Sequence, residues 1–192
     1  AALYAHQRGA KVLAVSDVSG GIYNAQGLDI NDVIRYVSEH KVVKGYPKAE
    51  PVSNDQLLTI KCDVLAPCAL ESVIHEGNAD KVDTKIIVEG ANGPTTNEAT
   101  KILVDKGVLC CPDILANGGG VIVSYFEWVQ GLQHYFWSED EVNAKMKQII
   151  TGAFDKVWEI RQEKKVDMRT AAMAQAVRRL ERAMLLRGLY PR

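Results

Sequence analysis

Short apolar runs alternate with amphipathic stretches along the first two thirds of the chain. The runs are only four to six residues long and cover residues 11–16, 62–67, 85–88 and 108–111. Apolar runs of this length are typical of strands buried in a parallel sheet. Because helical patterns separate most of them, the sequence predicts an α/β fold with a parallel sheet.

Capping residues mark where several of the helices are predicted to begin. Asp29 is predicted to open one helix, and Thr95 with Glu98 predicts a capping box for another that extends through Val104. A short helix also suits residues 69–75. These helices would connect and cover the predicted strands.

The pattern changes to helices alone after Trp137. Ser138 with Glu141 predicts a capping box for a long helix, and Gly188 with Pro191 predicts the end of a second one. The positions predicted to face the core recur at helical spacing: Val142, Met146, Ile149, Ala153, Val157 and Ile160, then Met173, Val177, Leu180 and Met184.

Small or polar residues follow the predicted strands at four places: Asp17, Ala66-Pro67, Ala91-Asn92 and Asn117-Gly118. Open parallel sheets bind ligands beyond the carboxyl ends of their strands, so the four places predict a ligand site. Asp17 has a second interpretation as a turn former, since Asp is common after strands.

A run of three glycines, Gly118 to Gly120, lies where the last predicted strand gives way to a long helix. Backbone without Cβ atoms can turn tightly and approach a bound group, although such runs are also typical of plain loops and hinges. Ser124 is predicted to face the same site. The apolar residues of this helix are predicted to face the core: Val121, Tyr125, Trp128, Val129, Leu132 and Phe136.

Composition narrows the class of ligand. Twenty-three basic residues against 24 acidic ones give a net charge of −1, which disfavours nucleic acid and anionic membranes as partners. The four cysteines form no C-x-x-C pair and no cluster with metal-ligand spacing. No apolar run approaches the roughly 20 residues that cross a bilayer. We therefore expect a reduced, cytoplasmic protein with a small ligand.

Four segments carry a resemblance to a known family: SDVSGGIYN (16–24), CDVLAPCAL (62–70), IIVEGANGPTT (86–96) and PDILANGGGVIVSYFEW (112–128). In this order they resemble the C-terminal half of glutamate dehydrogenases, within the Glu/Leu/Phe/Val dehydrogenase family. The resemblance implies reversible NAD(P)-dependent oxidative deamination of L-glutamate to 2-oxoglutarate and ammonia, and a homo-oligomer that is a hexamer. It also implies a partial dinucleotide-binding domain at 1–137, followed by a C-terminal helical segment at 138–192.

The resemblance also implies roles for individual residues. On the cofactor these are Asp17 and Ser19 near the adenosine ribose, Ala66, Ala91 and Asn92 near the nicotinamide ribose, and Asn117 at the nicotinamide. Val121 and Ser124 would meet the substrate side chain. A Ser124 hydroxyl suits the distal carboxylate of glutamate, unless it only bonds its own helix backbone.

Three alternatives stay open at this stage. An acidic Asp17 favours NAD, but Ser16 and Ser19 could bind the 2′-phosphate of NADP if Asp17 turned away. An enzyme for leucine, valine or phenylalanine is less favoured because Ser124 is polar. A non-catalytic nucleotide-binding or assembly module is the third possibility.

The sequence departs from the family where its first strand and glycine fingerprint would stand. The segments that carry the family's catalytic lysines and aspartate are also unmatched, so no catalytic residue is assigned. We expect a Rossmann-like doubly wound sheet that lacks its first strand, in a part of a longer enzyme. Expressed alone, this chain is expected to be inactive and poorly folded.

Overall fold

The structure is a computed structural model that describes residues 1–188. Within that range the helices are α1 (Ala2–Gln7), α2 (Ile30–His40), α3 (Asn54–Leu58), α4 (Asn97–Asp105), α5 (Asp113–Ala116), α6 (Gly119–Gln133), α7 (Glu139–Lys164) and α8 (Met168–Arg187). The strands are β1 (Ala14–Asp17), β2 (Gly20–Tyr23), β3 (Glu50–Val52), β4 (Cys62–Leu65), β5 (Thr84–Val88) and β6 (Leu109–Cys111). Pro191 lies outside the described residues.

Strands β4, β5 and β6 form a parallel sheet in that order. The predicted α/β class and three of the four predicted parallel strands are therefore confirmed. Aliphatic side chains fill the core around this sheet, and Ile74, Ile87 and Leu103 are completely buried in it. The carboxyl ends of the three strands consequently lie at one edge, where their loops can form a site.

Strands β1, β2 and β3 form a separate antiparallel sheet. The prediction of a buried parallel strand over residues 11–16 is wrong, because β1 begins at Ala14 and pairs in reverse with β2. Gly20, opposite Asp17, has a φ of 127°, which permits the chain to reverse at once. Within residues 1–188 no ladder joins the two sheets. Only the sheet of β4, β5 and β6 has the parallel pairing that is typical of a doubly wound fold.

One predicted helix does not form, and another begins at a different residue. Residues 69–75 form turns and an isolated bridge from Ile74 to Thr95 instead of a helix. Helix α4 begins one residue later than predicted, because Thr96 is its N-cap and accepts a hydrogen bond from the Ala99 N–H. Asp29, by contrast, caps α2 as predicted.

The C-terminal helices confirm the predicted capping box of Ser138 and Glu141. Helices α7 and α8 form an antiparallel pair, and their shared core with α5 contains Leu115, Val157, Ile160, Met168, Ala171 and Ala172. The predicted core face of α8 is wrong: Met173, Val177, Leu180 and Met184 are exposed. In the described part of the chain, no helix combines the length and the apolar character that crossing a bilayer requires.

Candidate functional site

The loops that follow β4 and β5 are held together by backbone hydrogen bonds. The Pro67 carbonyl accepts the N–H groups of Gly90 at 3.0 Å and Ala91 at 2.9 Å. Gly90 lies against Cys68, since a Cβ added at Gly90 would come within 2.6 Å of the Cys68 Sγ. The structure thereby brings Ala66, which precedes Pro67, close to the predicted pair Ala91-Asn92.

An amide pair joins this loop to the end of α5. The Nδ2 group of Asn117 donates to Oδ1 of Asn92 at 2.6 Å and to the Ala91 carbonyl at 3.4 Å. Oδ1 of Asn117 and Nδ2 of Asn92 keep their acceptor and donor capacity in this arrangement. One acceptor beside one donor complements a carboxamide, the group that distinguishes a nicotinamide ring.

A buried ionic cluster lies directly behind these loops. Glu89, at the end of β5, is completely buried, and Arg169 in the first turn of α8 contacts it with Nη2. Nη1 of the same guanidinium contacts Oδ1 of Asp113 at 3.0 Å. The Asp113 N–H also donates to Oε2 of Glu89 at 2.9 Å. Three separate elements, β5, α5 and α8, therefore meet at one guanidinium.

Asp113 continues this cluster into the loop that carries Asn92. Its Oδ2 accepts the Gly93 N–H at 2.8 Å, and its Oδ1 accepts the Ile114 N–H at 2.8 Å. Burial alone would raise the pKa of Asp113, but these two hydrogen bonds and the Arg169 guanidinium outweigh it and lower the pKa below its ordinary value. The carboxylate is therefore ionised at neutral pH.

Asp17 and Ser19 form a second group on the antiparallel sheet. Oδ1 of Asp17 accepts both the N–H and the hydroxyl of Ser19, and Oδ2 accepts the Val43 N–H at 2.8 Å. Burial would raise the pKa of Asp17, but these hydrogen bonds lower it. A carboxylate has about four lone-pair sites, so Asp17 retains capacity for about one further donor.

The glycine stretch is not the turn that the sequence predicts. Gly118 has a φ of −59°, and Gly119 and Gly120 already belong to the first turn of α6. A Cβ on Gly119 would stand 3.4 Å from the Met146 Sδ, an ordinary contact distance, so packing against α7 does not require a glycine here. The stretch starts a helix and uses no left-handed backbone conformation.

The predicted core face of α6 is wrong as well. Val121 and Ser124 are exposed, and so are Tyr125, Trp128, Leu132 and Phe136, whereas Phe126 and Gln130 are buried. Both residues predicted to meet a substrate are thus accessible, on the helix that begins two residues after Asn117. Helical spacing identified an apolar face but not the direction in which it points.

A cavity of about 630 Å³ lies away from the predicted residues, between α5, α6, α7 and α8. Its lining includes Ile114, Phe126 and Val157, and none of the predicted cofactor or substrate residues. Its position among the C-terminal helices separates it from the carboxyl ends of β4 and β5. We therefore assign the site by side-chain chemistry and not by cavity size.

Sequence reasoning missed Glu89, Asp113 and Arg169. One local signal was available, since Glu89 is a charged residue directly after the apolar run 85–88. A charge in such a position is rarely buried without a partner. Arg169, however, lies 80 residues further along the chain, and only the fold brings it to Glu89.

Comparisons with known proteins agree over nearly the whole chain. The family model for Glutamate/Leucine/Phenylalanine/Valine dehydrogenase matches residues 1–188. A glutamate dehydrogenase of Thermotoga maritima is 51% identical over 191 residues, which are 100% of this chain and 46% of that protein. A cryptic catabolic NAD-specific glutamate dehydrogenase of Bacillus subtilis is 44% identical over 97% of this chain and 44% of its own length.

Solved structures agree with these sequence comparisons. The hetero-hexameric glutamate dehydrogenase of Thermus thermophilus superposes with a TM-score of 0.90 and 34% identity, covering 99% of this chain and 45% of that one. The Peptoniphilus asaccharolyticus enzyme superposes with a TM-score of 0.81 and 33% identity, covering 98% and 44%. The chain spans just under half the length of these relatives and matches the C-terminal part of the Thermotoga maritima protein.

Proposed function

Because the chain belongs to the Glutamate/Leucine/Phenylalanine/Valine dehydrogenase family, we propose that it is the cofactor-binding part of an NAD-dependent glutamate dehydrogenase. The reaction is the reversible oxidative deamination of L-glutamate to 2-oxoglutarate and ammonia, a step of amino-acid metabolism. The observation that carries this proposal is similarity along the entire chain to proteins named glutamate dehydrogenase.

The nicotinamide end of the cofactor would lie against the amide pair. Asn117 and Asn92 would exchange hydrogen bonds with the carboxamide, and Ala66 and Ala91 would border the adjoining ribose. A bound nicotinamide supplies hydride transfer to or from the substrate carbon. The chain's own contribution is orientation, because the amide pair fixes which way the carboxamide points.

The adenosine end supports NAD over NADP. Three donors hold Asp17 in place, and its lowered pKa keeps a negative charge where the 2′-phosphate of NADP would come. The Ser19 hydroxyl donates to Asp17, so its proton does not serve a phosphate. Asp17 would accept one hydrogen bond from a ribose hydroxyl of NAD.

The substrate end rests on α6. Val121 and Ser124 would line the side-chain pocket, where the Ser124 hydroxyl hydrogen-bonds the distal carboxylate of glutamate. Leucine, valine and phenylalanine would leave that hydroxyl unpaired, which disfavours them. The acid–base residues are supplied by a further part of a longer protein, which assembles as a hexamer in the cytoplasm.

Steady-state kinetics of the intact protein test this proposal. We expect kcat/KM for L-glutamate to exceed that for L-leucine, and NAD to be preferred over NADP by about tenfold or more, since like-charge repulsion of this kind exceeds about 1.4 kcal/mol. Asp17→Ser should reduce the NAD preference. The control Asp63→Asn, an exposed carboxylate on β4, should leave it unchanged. A wild-type preference for NADP or leucine contradicts the corresponding assignment.

A further inference from the structure

The cluster of Glu89, Asp113 and Arg169 has a geometry that simple stabilisation does not require. Asp113 contacts both the loop of Asn92 and the end of α5, and Glu89 and Arg169 hold Asp113 from behind. We propose that Arg169 and Glu89 are positioning residues, which fix the nicotinamide end of the site by anchoring Asp113. This inference rests on the proposed function and extends it to residues that do not contact the ligand.

Glu89 is the most deeply buried member of the cluster. Its side chain is completely buried, so its charge requires a partner, and the Arg169 guanidinium supplies one. Oε2 of Glu89 also accepts the N–H of Asp113, the first residue of α5. Glu89 therefore fixes where α5 begins relative to the end of β5.

Asp113 contacts both parts of the nicotinamide end of the site. Its Oδ2 holds the Gly93 N–H, next to Asn92, and its backbone carbonyl accepts the Asn117 N–H at 3.0 Å. The two amides that would meet the nicotinamide are thus both linked to Asp113, one through its carboxylate and one through its backbone carbonyl. A shift of Asp113 would move both of them.

Arg169 contacts two carboxylates, which requires an arginine. Nη2 contacts Glu89 while Nη1 contacts Asp113, so one planar fork holds two carboxylates at once. An ammonium group is a single point charge and cannot reproduce this spacing. The fork therefore sets the spacing of the two carboxylates and, with it, the position of Asp113.

Two ligands separate positioning from general stability. NADH carries the nicotinamide and ADP-ribose lacks it, so only NADH reports on the amide pair. In the intact protein, we expect Arg169→Met to weaken NADH binding by about tenfold, because the loss of one hydrogen bond to the carboxamide changes a dissociation constant by about that factor. The dissociation constant for ADP-ribose should stay within about twofold. Arg169→Lys should recover only part of the NADH affinity.

The matched control is Lys85→Met, on β5, the strand that ends directly before Glu89. It breaks the exposed pair of Lys85 and Asp63, and we expect both dissociation constants to stay at their wild-type values. If Arg169→Met does not fold, the double variant Glu89→Gln with Arg169→Met carries the test, because no buried carboxylate is then left unpaired at residue 89. It should bind ADP-ribose normally and NADH weakly.

The inference is overturned if the folded variants bind NADH as the wild type does, or if they lose NADH and ADP-ribose equally. Full NADH affinity in Arg169→Lys overturns it too, since charge alone would then suffice. A wild-type protein that binds neither ligand overturns the proposed function as well, so the two failures are distinguishable.

Discussion

At the scale of single residues, the adjacent thiols Cys110 and Cys111 show how burial decides reactivity. Burial raises the pKa of Cys110 to about 12, and the negative charge of Glu89 adds to the effect. The pKa of Cys111 is raised for the same two reasons. Cys68, in contrast, is exposed beside the candidate site. Only a thiolate attacks an alkylating reagent, so the raised pKa values protect the pair.

We expect iodoacetamide at about pH 8, near the ordinary pKa of a thiol, to modify Cys68 first and to leave Cys110 unmodified. Mass spectrometry of the digested native protein measures both rates. Cys68→Ser should abolish the fast phase. Equal labelling of Cys110 and Cys68 would contradict the burial of Cys110.

The candidate site was partly predictable at this scale. Asn92 and Asn117 were recognised because polar residues after apolar strands are a local pattern, and the fold does bring them together. Arg169 was not, since no local pattern in α8 reports the buried carboxylate of Glu89. A contact between residues that are distant in sequence requires the three-dimensional fold.

At the scale of elements, helix α4 shows the limit of capping motifs. The sequence offers two consecutive threonines, and the S/T-x-x-E spacing selects Thr95. In the structure Thr95 instead joins the bridge to Ile74, and its Oγ1 is buried without a partner among the described residues. Thr96 caps the helix. A bridge to a distant segment decided between two locally similar starts.

Substitution of the two threonines should therefore have opposite consequences. Thr96→Ala removes the cap and should lower the free energy of unfolding of the intact protein by about 1 kcal/mol. Thr95→Val replaces an unsatisfied buried hydroxyl by a methyl group and should be neutral or slightly stabilising. Urea denaturation of both variants measures the difference. If Thr95→Val lowered the free energy of unfolding more than Thr96→Ala does, the result would support the predicted capping box of Thr95 and Glu98 instead.

The elements themselves were largely predictable, but their outward faces were not. The parallel strands and the α7 cap follow from local patterns that survive in the fold. Apolar spacing on α6 and α8 predicted a buried face, and the structure exposes it. Apolar spacing indicates that one face of a helix is apolar. It does not indicate which other part of the protein, if any, packs against that face.

At the scale of the whole molecule, the exposed apolar residues concentrate on two helices. On α6 they are Val121, Val123, Tyr125, Trp128 and Leu132, and on α8 they are Met173, Val177, Leu180, Met184, Leu185 and Leu186. Many exposed apolar side chains on the same helices promote association. Val18, also fully exposed, lies alone in a turn.

We expect the isolated 192-residue chain to enhance the fluorescence of a hydrophobic dye and to self-associate in sedimentation experiments. Replacing Leu180 and Met184 with lysine should reduce both effects, because charges interrupt the apolar face of α8. Val18→Lys is the matched control and should change neither. A monodisperse monomer that does not enhance the dye fluorescence would contradict this expectation.

The distance along the chain between Glu89 and Arg169 also has a kinetic consequence. The two residues are 80 positions apart. Closing that loop costs conformational entropy before the contact between them contributes any stabilisation. We therefore expect the pair to form after the folding transition state. Weakening it would leave the folding rate nearly unchanged and accelerate unfolding. The lifetime of the folded protein then depends on whether the last long helix stays attached at its first turn.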